Sequence, residues 1–248
     1  MSVAALSIAQ MAEPTADAFL RDGYVVLRQQ VDPASIDTLL QRILWLCERE
    51  TGLSWTGINS VSLARFLATN PDIRQRICEQ ARVPAWLPHF VLRPCITSAA
   101  KAVLCQPIQM LRQIDVELDA PLDMAGLGVW HQDHFYTRGS ARTLRAHIAL
   151  QDTGYREGCL QIMPGSHRLG PLTHDTLVLG DRHLPSGIED REIRMLTLKK
   201  GDVVLTHSML LTAQSMNLSP CTRVSVTARF IPRGARTSRA VSGVIDIA

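Results

Sequence analysis

The chain has 248 residues, of which 46% are hydrophobic and 20% charged, and its formal net charge is +3. These values are typical of an ordinary globular protein with one sizeable core, so we expect a single domain covering residues 1–248. They do not indicate a nucleic-acid binder, which usually carries a dense basic stripe. The nearest approach to such a stripe lies late in the chain, where we expect a solvated tail containing Arg229, Arg233, Arg236 and Arg239.

Cysteine usage and the start of the chain bear on the compartment. The six cysteines are scattered and form no Cys-x-x-Cys pair, which indicates a reduced, cytoplasmic protein. Residues 1–11 are apolar but lack a basic leading segment and are too short to cross a bilayer. We therefore expect neither export nor a membrane partner.

The first half of the sequence has a helical character. A helix is expected to begin near Thr15, followed by a short strand over residues 23–27 and a second helix from Pro33. Residues 60–105 continue with apolar side chains at helical spacing, interrupted by prolines. We assign residues 1–106 to a mostly helical part.

After Pro107 the pattern changes to short strands separated by turn residues. Strands are expected over residues 108–118, 128–136, 143–150, 159–163, 194–198, 203–207 and 223–231. Several short strands after a helical half predict a mainly β fold with supporting helices, packed as a sandwich or barrel. The barrel core is assigned to residues 107–233 and the tail to residues 234–248.

The last predicted strand alternates most clearly. One face carries Val224, Val226, Ala228 and Phe230, and the other carries Arg223, Ser225, Thr227 and Arg229. In an open sheet the polar face would meet water, whereas in a closed barrel it would line a ligand cavity. In the second case Arg223 would be a buried cation that requires a carboxylate partner.

A His-x-Asp pair lies near the middle of the chain, within the sequence Trp-His-Gln-Asp-His at residues 130–134. In a strand, His131 and Asp133 would share one face, with Gln132 and His134 on the other. One imidazole beside one carboxylate is the beginning of the two-histidine, one-carboxylate arrangement of non-heme Fe(II) oxygenases. The sequence therefore predicts two of three metal ligands here.

These segments, taken in order, resemble the phytanoyl-CoA dioxygenase (PhyH-like) family of Fe(II)/2-oxoglutarate-dependent oxygenases. The resemblance is carried by Phe-Leu-Arg-Asp-Gly-Tyr-Val-Val-Leu at 19–27, the His-Gln-Asp stretch, Gly-Cys-Leu-Gln-Ile-Met-Pro-Gly-Ser-His at 158–167, Gly-Asp-Val-Val-Leu at 201–205 and Asn-Leu-Ser-Pro-Cys-Thr-Arg at 217–223. Each motif alone is weak, but their order and spacing are specific. The resemblance implies a double-stranded β-helix, a jelly-roll barrel with its chemistry in the barrel mouth.

The resemblance also implies roles for individual residues. His131 and Asp133 would ligate Fe(II), and Arg223 would hold the distal carboxylate of the cosubstrate 2-oxoglutarate. Gln132 occupies a position that contacts the cosubstrate in some family members. The expected activity is oxidation, such as hydroxylation, of a small organic molecule.

The sequence departs from the family pattern at the second histidine. Counting back five residues from Asn217, or eleven from Arg223, leads to the same position, and it is Thr212. A neutral hydroxyl is a poor Fe(II) ligand compared with imidazole.

Three explanations for this departure stay open. His207 or Gln214 could replace the missing ligand through a shifted loop. Alternatively, His131 and Asp133 could hold the metal with water, keto acid or substrate completing the shell. Finally, the domain could be a degenerate oxygenase that binds a ligand or catalyses a non-oxidative isomerisation or cyclisation, since fold does not fix function.

Overall fold

A computed structural model describes residues 12–83, 85–123, 130–137, 142–172, 191–235 and 243–247. Its helices are α1 (Ala12–Asp22), α2 (Pro33–Thr51), α3 (Val61–Thr69), α4 (Pro71–Arg82), α5 (Trp86–Val91), α6 (Pro94–Leu104) and α7 (Asp133–Thr137). Local chemistry fixes the ends of the longest helix, α2. The Asp32 side chain accepts a hydrogen bond from the Ser35 amide, Pro33 occupies the first turn, and Gly52 ends the helix in the left-handed conformation.

The described strands belong to two sheets. They are β1 (Tyr24–Leu27), β2 (Ile108–Leu111), β3 (Asp115–Asp119), β4 (His131–Gln132), β5 (Leu144–Ala149), β6 (Leu160–Ile162), β7 (Arg194–Leu196), β8 (Val203–His207), β9 (Leu211–Gln214), β10 (Arg223–Pro232) and β11 (Val244–Asp246). The large sheet has the order β1-β8-β5-β10-β2-β11, with β3 also paired to β10, and the small sheet has the order β4-β9-β6-β7. All the pairs are antiparallel.

Side-chain alternation on β10 orients the large sheet. Its apolar residues, such as Val224 and Phe230, belong to the same buried cluster as Ile36 of α2 and Ile77 of α4. The helices therefore cover this face, because burying it removes the most apolar surface from water.

The opposite, polar face of the large sheet is turned towards the small sheet. Leu160 and Ile162 of β6 pack in one cluster with Val204 of β8, which joins the two sheets at one side. We call the space between these two faces the chamber. The predicted double-stranded β-helix class is confirmed, although the described strands form two facing sheets rather than one closed barrel.

Several predicted boundaries are corrected by the structure. The strand expected over 128–136 contains only His131–Gln132, and the chain then turns into α7 at Asp133; residues 128 and 129 lie outside the described part. The strand β9 was not predicted. Within the expected tail, Val244–Asp246 form β11 and pair with β2, while Arg236 and Arg239 lie outside the described residues.

The described helices include none that is long and apolar enough to cross a bilayer.

Candidate functional site

The small sheet places His131 directly opposite Thr212. The β4–β9 register pairs these two residues, and Ile162 of β6 flanks Thr212 on its other side. Thr212 is 2% exposed, and its hydroxyl oxygen has no hydrogen-bond partner in the described part of the chain. The position at which the family motif places histidine therefore faces His131, but it presents a buried hydroxyl.

Gln132, for which the family resemblance implies a contact with the cosubstrate, makes its contacts elsewhere. Its register partner is Leu211, so it lies on the opposite face from His131. Its amide nitrogen donates to the carbonyls of Gly170 and Met209, both at 2.8 Å, and its amide oxygen accepts from the Leu172 amide at 2.8 Å. This buried amide satisfies three backbone groups, so its contacts here are structural.

Asp133 forms a buried ion pair with Arg229. The Arg229 Nε lies 2.8 Å from Asp133 Oδ2, and its Nη2 lies 2.7 Å from Oδ1, so both carboxylate oxygens are engaged. Burial alone would raise the pKa of Asp133, but the charge and hydrogen bonds of Arg229 outweigh burial and lower it. The carboxylate is therefore ionised and paired in a bidentate arrangement.

A second carboxylate holds Arg229 from its other side. Arg229 Nη1 donates to Asp115 Oδ2 at 2.7 Å, and Asp115 also lies 3.5 Å from the guanidinium of Arg82. Arg229 therefore lies on the polar face of β10, as the strand alternation predicts, and does not belong to a solvated tail. The four side chains alternate in sign from Asp133 out to Arg82 at the end of α4.

Arg223 lies on the same polar face and is 4% exposed. It forms a salt bridge with Asp119, its register partner on β3. Burial raises the pKa of Asp119, and the charge of Arg223 only partly opposes this effect. The Nε of Arg223 has no partner among the described residues. Arg223 is therefore the buried cation inferred from the alternation of β10, and its carboxylate partner is Asp119 of the same chain.

Two further side chains of this face come from β5. Arg145 is the register partner of Arg229, and its buried Nε has no partner in the described ranges. His147 is 2% exposed and lies 3.4 Å from the Thr227 hydroxyl through Nδ1. Burial, with the nearby charges of Arg145 and Arg223, lowers the pKa of His147 well below its usual value, so the ring is neutral.

The two candidates for the missing ligand are engaged elsewhere. The centroid of the His207 ring lies 5.2 Å from that of His167 and 6.1 Å from that of Phe19, with the rings tilted, and its Nδ1 accepts from the Met209 amide at 3.1 Å. Gln214 shares the Thr212 face of β9, but its amide donates to the Gly158 carbonyl. Within the described ranges, no three His, Cys, Asp or Glu side chains form a group that could hold a metal ion.

The chamber can nevertheless supply part of a metal and keto-acid site. His131 and Asp133 provide an imidazole and an ionised carboxylate, which are suitable donors for a divalent transition metal. The Nε–H of Arg223, which has no partner in the described part of the chain, is available to a carboxylate. These residues fit an iron ion at two protein positions, provided that Asp133 is released from Arg229.

The facing sheets, their polar chamber and the His-x-Asp pair at its edge together define a protein of the double-stranded β-helix class. The chain belongs to the phytanoyl-CoA dioxygenase (PhyH) family, whose model matches residues 19–225. The predicted family is therefore confirmed, and enzymes of this family use Fe(II) and 2-oxoglutarate.

Individual relatives are distant. A rice protein (Oryza sativa subsp. japonica), "Phytanoyl-CoA dioxygenase 1", is 31% identical over 87 residues, which cover 34% of this chain and 31% of that protein. The match therefore spans about a third of the length of this relative.

Among solved structures, the carbocyclase SnoK from nogalamycin biosynthesis has a TM-score of 0.67 at 18% identity, covering 94% of this chain and 88% of that one. The epimerase SnoN in complex with Fe3+, alpha ketoglutarate and nogalamycin RO has a TM-score of 0.64 at 20% identity, covering 90% and 84%. EctD from S. alaskensis, with 2-oxoglutarate and 5-hydroxyectoine, has a TM-score of 0.62 at 18% identity, covering 96% and 80%. At these identities the likeness shows the fold.

Sequence reasoning misses two chamber residues, Asp115 and Arg145. The alternation of the last predicted strand places Arg229 on the same face as Arg223, although the basic residues that follow also suggest a solvated tail. Asp115 and Arg145 carry no comparable signal in the sequence, because their proximity to Arg229 depends on how β3 and β5 pair with β10.

Proposed function

We propose that this protein is an Fe(II)/2-oxoglutarate-dependent oxygenase that oxidises a C–H bond of a small organic molecule. His131 and Asp133 are the protein ligands of the metal, and Arg223 binds the distal carboxylate of the keto acid. The observation that carries the proposal is the contact of Asp133 with the polar face of β10. This contact joins the His-x-Asp segment to the face that carries Arg223.

Each residue has a defined task in this proposal. Arg223 orients the keto acid by a charge-assisted hydrogen bond in a site shielded from water, where such bonds are strong. Asp119 holds the guanidinium of Arg223 in place before the keto acid arrives. Neutral His147 contributes a ring without adding a third positive charge beside Arg145 and Arg223. Bound iron and 2-oxoglutarate would provide the chemistry that oxidises the C–H bond, with dioxygen as the oxidant.

The proposed substrate is a small organic molecule. The chamber lies between two sheets of one chain, which suits a small molecule rather than a polymer. SnoN was solved with nogalamycin RO and EctD with 5-hydroxyectoine, both small organic molecules. We also place the protein in the cytoplasm, because all six cysteines are free. The formal net charge of only +3 favours neither a nucleic acid nor an anionic membrane surface as a partner.

The test is anaerobic reconstitution of the full chain with Fe(II) and 2-oxoglutarate. We expect a visible charge-transfer absorption that requires both components. Asp133→Asn should abolish the absorption by removing a metal ligand, and Arg233→Gln, an exposed arginine outside the chamber, should leave it unchanged. Folded wild-type protein with no such absorption at millimolar Fe(II) and 2-oxoglutarate would refute the proposal.

A second candidate is favoured by two observations on the metal side of the chamber. Thr212 replaces the second histidine, and Asp133 is bonded through both oxygens to Arg229. These features suit a degenerate oxygenase that binds a ligand or catalyses a non-oxidative isomerisation or cyclisation. Metal analysis of the purified protein distinguishes the two candidates, since the degenerate form predicts no iron and no gain in thermal stability on adding Fe(II) or Mn(II).

A further inference from the structure

The Asp133–Arg229 pair occupies the lone pairs that a metal ion would use. Two N–H groups of Arg229 reach the two carboxylate oxygens at 2.8 and 2.7 Å, and Asp133 is 4% exposed. A carboxylate held by a bidentate guanidinium is already neutralised and has little capacity left for a second cation. A metal ion and the Arg229 guanidinium therefore compete for the same group.

Arg229 also has a second anion to which it stays bound when Asp133 leaves. Asp115 accepts from Arg229 Nη1 at 2.7 Å on the side away from Asp133. Releasing Asp133 therefore does not leave a bare buried cation, which would be costly. The positions of these two carboxylates make exchange of Asp133 between Arg229 and a metal energetically feasible.

We infer that Arg229 is a built-in counter-cation of Asp133 and makes metal binding conditional on opening this ion pair. The inference rests on the proposed function, since it assigns Asp133 as a metal ligand. Arg229 acts here as a positioning residue that sets the metal affinity through Asp133. Because Thr212 supplies no third strong donor, the competition is stronger in this chain than in a site with two histidines.

Arg145 offers a matched comparison. It lies directly opposite Arg229 in the β5–β10 register, and its charge also acts on Asp133, but no hydrogen bond joins the two. Neutralising Arg145 removes the same formal charge from the chamber without freeing the carboxylate oxygens. Comparing the two variants therefore separates the effect of the Arg229–Asp133 hydrogen bonds on metal affinity from the effect of positive charge in the chamber.

The experiment measures binding of Mn(II) and Co(II) to the full chain without keto acid, by equilibrium dialysis and by the absorption of bound Co(II). Arg229→Gln should bind both metals at least about tenfold more tightly than wild type, while Arg145→Gln should gain clearly less. Adding Asp133→Asn to Arg229→Gln should remove the gain. Asp115→Asn should weaken metal binding, because Asp133 is then the only carboxylate of the pair that still neutralises Arg229.

Stability supplies a readout that does not require a bound metal at the start. Arg229→Gln should lower the thermal midpoint of the metal-free protein, since it leaves Asp133 buried without its partner, and Mn(II) should restore most of the loss. Should Arg229→Gln not fold, Arg229→Lys keeps the charge but loses the bidentate geometry, and is expected to tighten metal binding by a smaller factor.

The outcomes separate this inference from the proposed function. The inference is overturned if folded Arg229→Gln binds metal no more tightly than wild type, even if wild type shows the charge-transfer absorption. If Arg229→Gln does not fold, the same result for Arg229→Lys overturns the inference. A gain in affinity on Arg229→Gln that is lost with Asp133→Asn supports the inference even if wild type shows no absorption with iron and 2-oxoglutarate. In that case the native chain is held in its metal-free state.

Discussion

Thr212 lies directly opposite His131 in the antiparallel pair of β4 and β9. Its side chain is buried, and the hydroxyl has no hydrogen-bond partner among the described residues. A polar group in that condition costs free energy unless a ligand satisfies it. Thr212, which stands where the family has a histidine, therefore lies at the chamber, and its effect on metal affinity can be measured by substitution.

Replacing Thr212 by His should strengthen metal binding. An imidazole opposite His131 adds a strong donor, and we expect Mn(II) and Co(II) affinity to rise by about tenfold to a hundredfold. Equilibrium dialysis without keto acid measures the change. Thr212→Val is the control, because it keeps the shape and adds no donor. Its metal affinity should equal that of wild type, and its stability should be equal or higher by about 1 kcal/mol. An unchanged affinity in folded Thr212→His would show that this position does not face the metal.

Arg223→Gln should weaken binding of the keto acid. Loss of a charge-assisted hydrogen bond in a buried site costs about 1.5–3 kcal/mol, which corresponds to about a tenfold to hundredfold lower affinity for 2-oxoglutarate. Titration calorimetry with the metal-loaded protein measures the effect. Arg223→Lys retains the charge and should lose less. If Arg223→Gln bound the keto acid as tightly as wild type, the carboxylate would have another anchor in the chamber.

Acid should destabilise the protein through His207. Burial, together with His167 and His134, lowers the pKa of His207 to about 4, below its ordinary value near 6.5. The unfolded chain therefore binds the proton more readily than the folded chain, and stability is lost as the pH falls from about 6.5 towards 4. Urea unfolding midpoints between pH 7.5 and 4.5 measure this slope. His207→Gln should flatten the slope, whereas the same change at the exposed His89 should not. Equal slopes for His207→Gln and wild type would exclude this source of acid sensitivity.

Gly158→Ala should be strongly destabilising. Gly158 has φ +78°, and a Cβ there would lie 2.5 Å from the Ser215 carbonyl oxygen, in the turn that leads into β6. Backbone strain and the clash together should cost about 2–4 kcal/mol. Gly52→Ala is the control, since φ is +66° there but nothing lies within 4 Å of the added carbon, and the loss should be only about 1 kcal/mol. Chemical denaturation of both variants measures the difference. Similar losses in the two would mean that the turn at Gly158 relaxes.

The sequence predicted those features that depend on local pattern. The helical first half follows from the spacing of apolar residues, and the two faces of β10 follow from strict alternation. The His-x-Asp pair and the absence of a histidine at Thr212 could be read by counting along the chain. The strand β9 (Leu211–Gln214) was not predicted, although its four residues alternate between apolar and polar side chains.

Contacts across the chamber could not be read from the sequence. Asp133 was expected in a strand, but it begins a helical turn and meets Arg229, which is 96 positions later in the chain. Asp115 and Arg145 become neighbours of Arg229 only because β3 and β5 pair with β10 in a particular register.

The sequence by itself determined the family, the helical and β halves, the His-x-Asp pair and the polar face bearing Arg223, because each is set by the order and spacing of neighbouring residues. Only the tertiary structure decided which charges neutralise one another. Pairing of Arg229 with Asp133 and of Arg223 with Asp119 depends on strand register and on burial, since a buried ion must find a partner among the groups that the fold brings within reach.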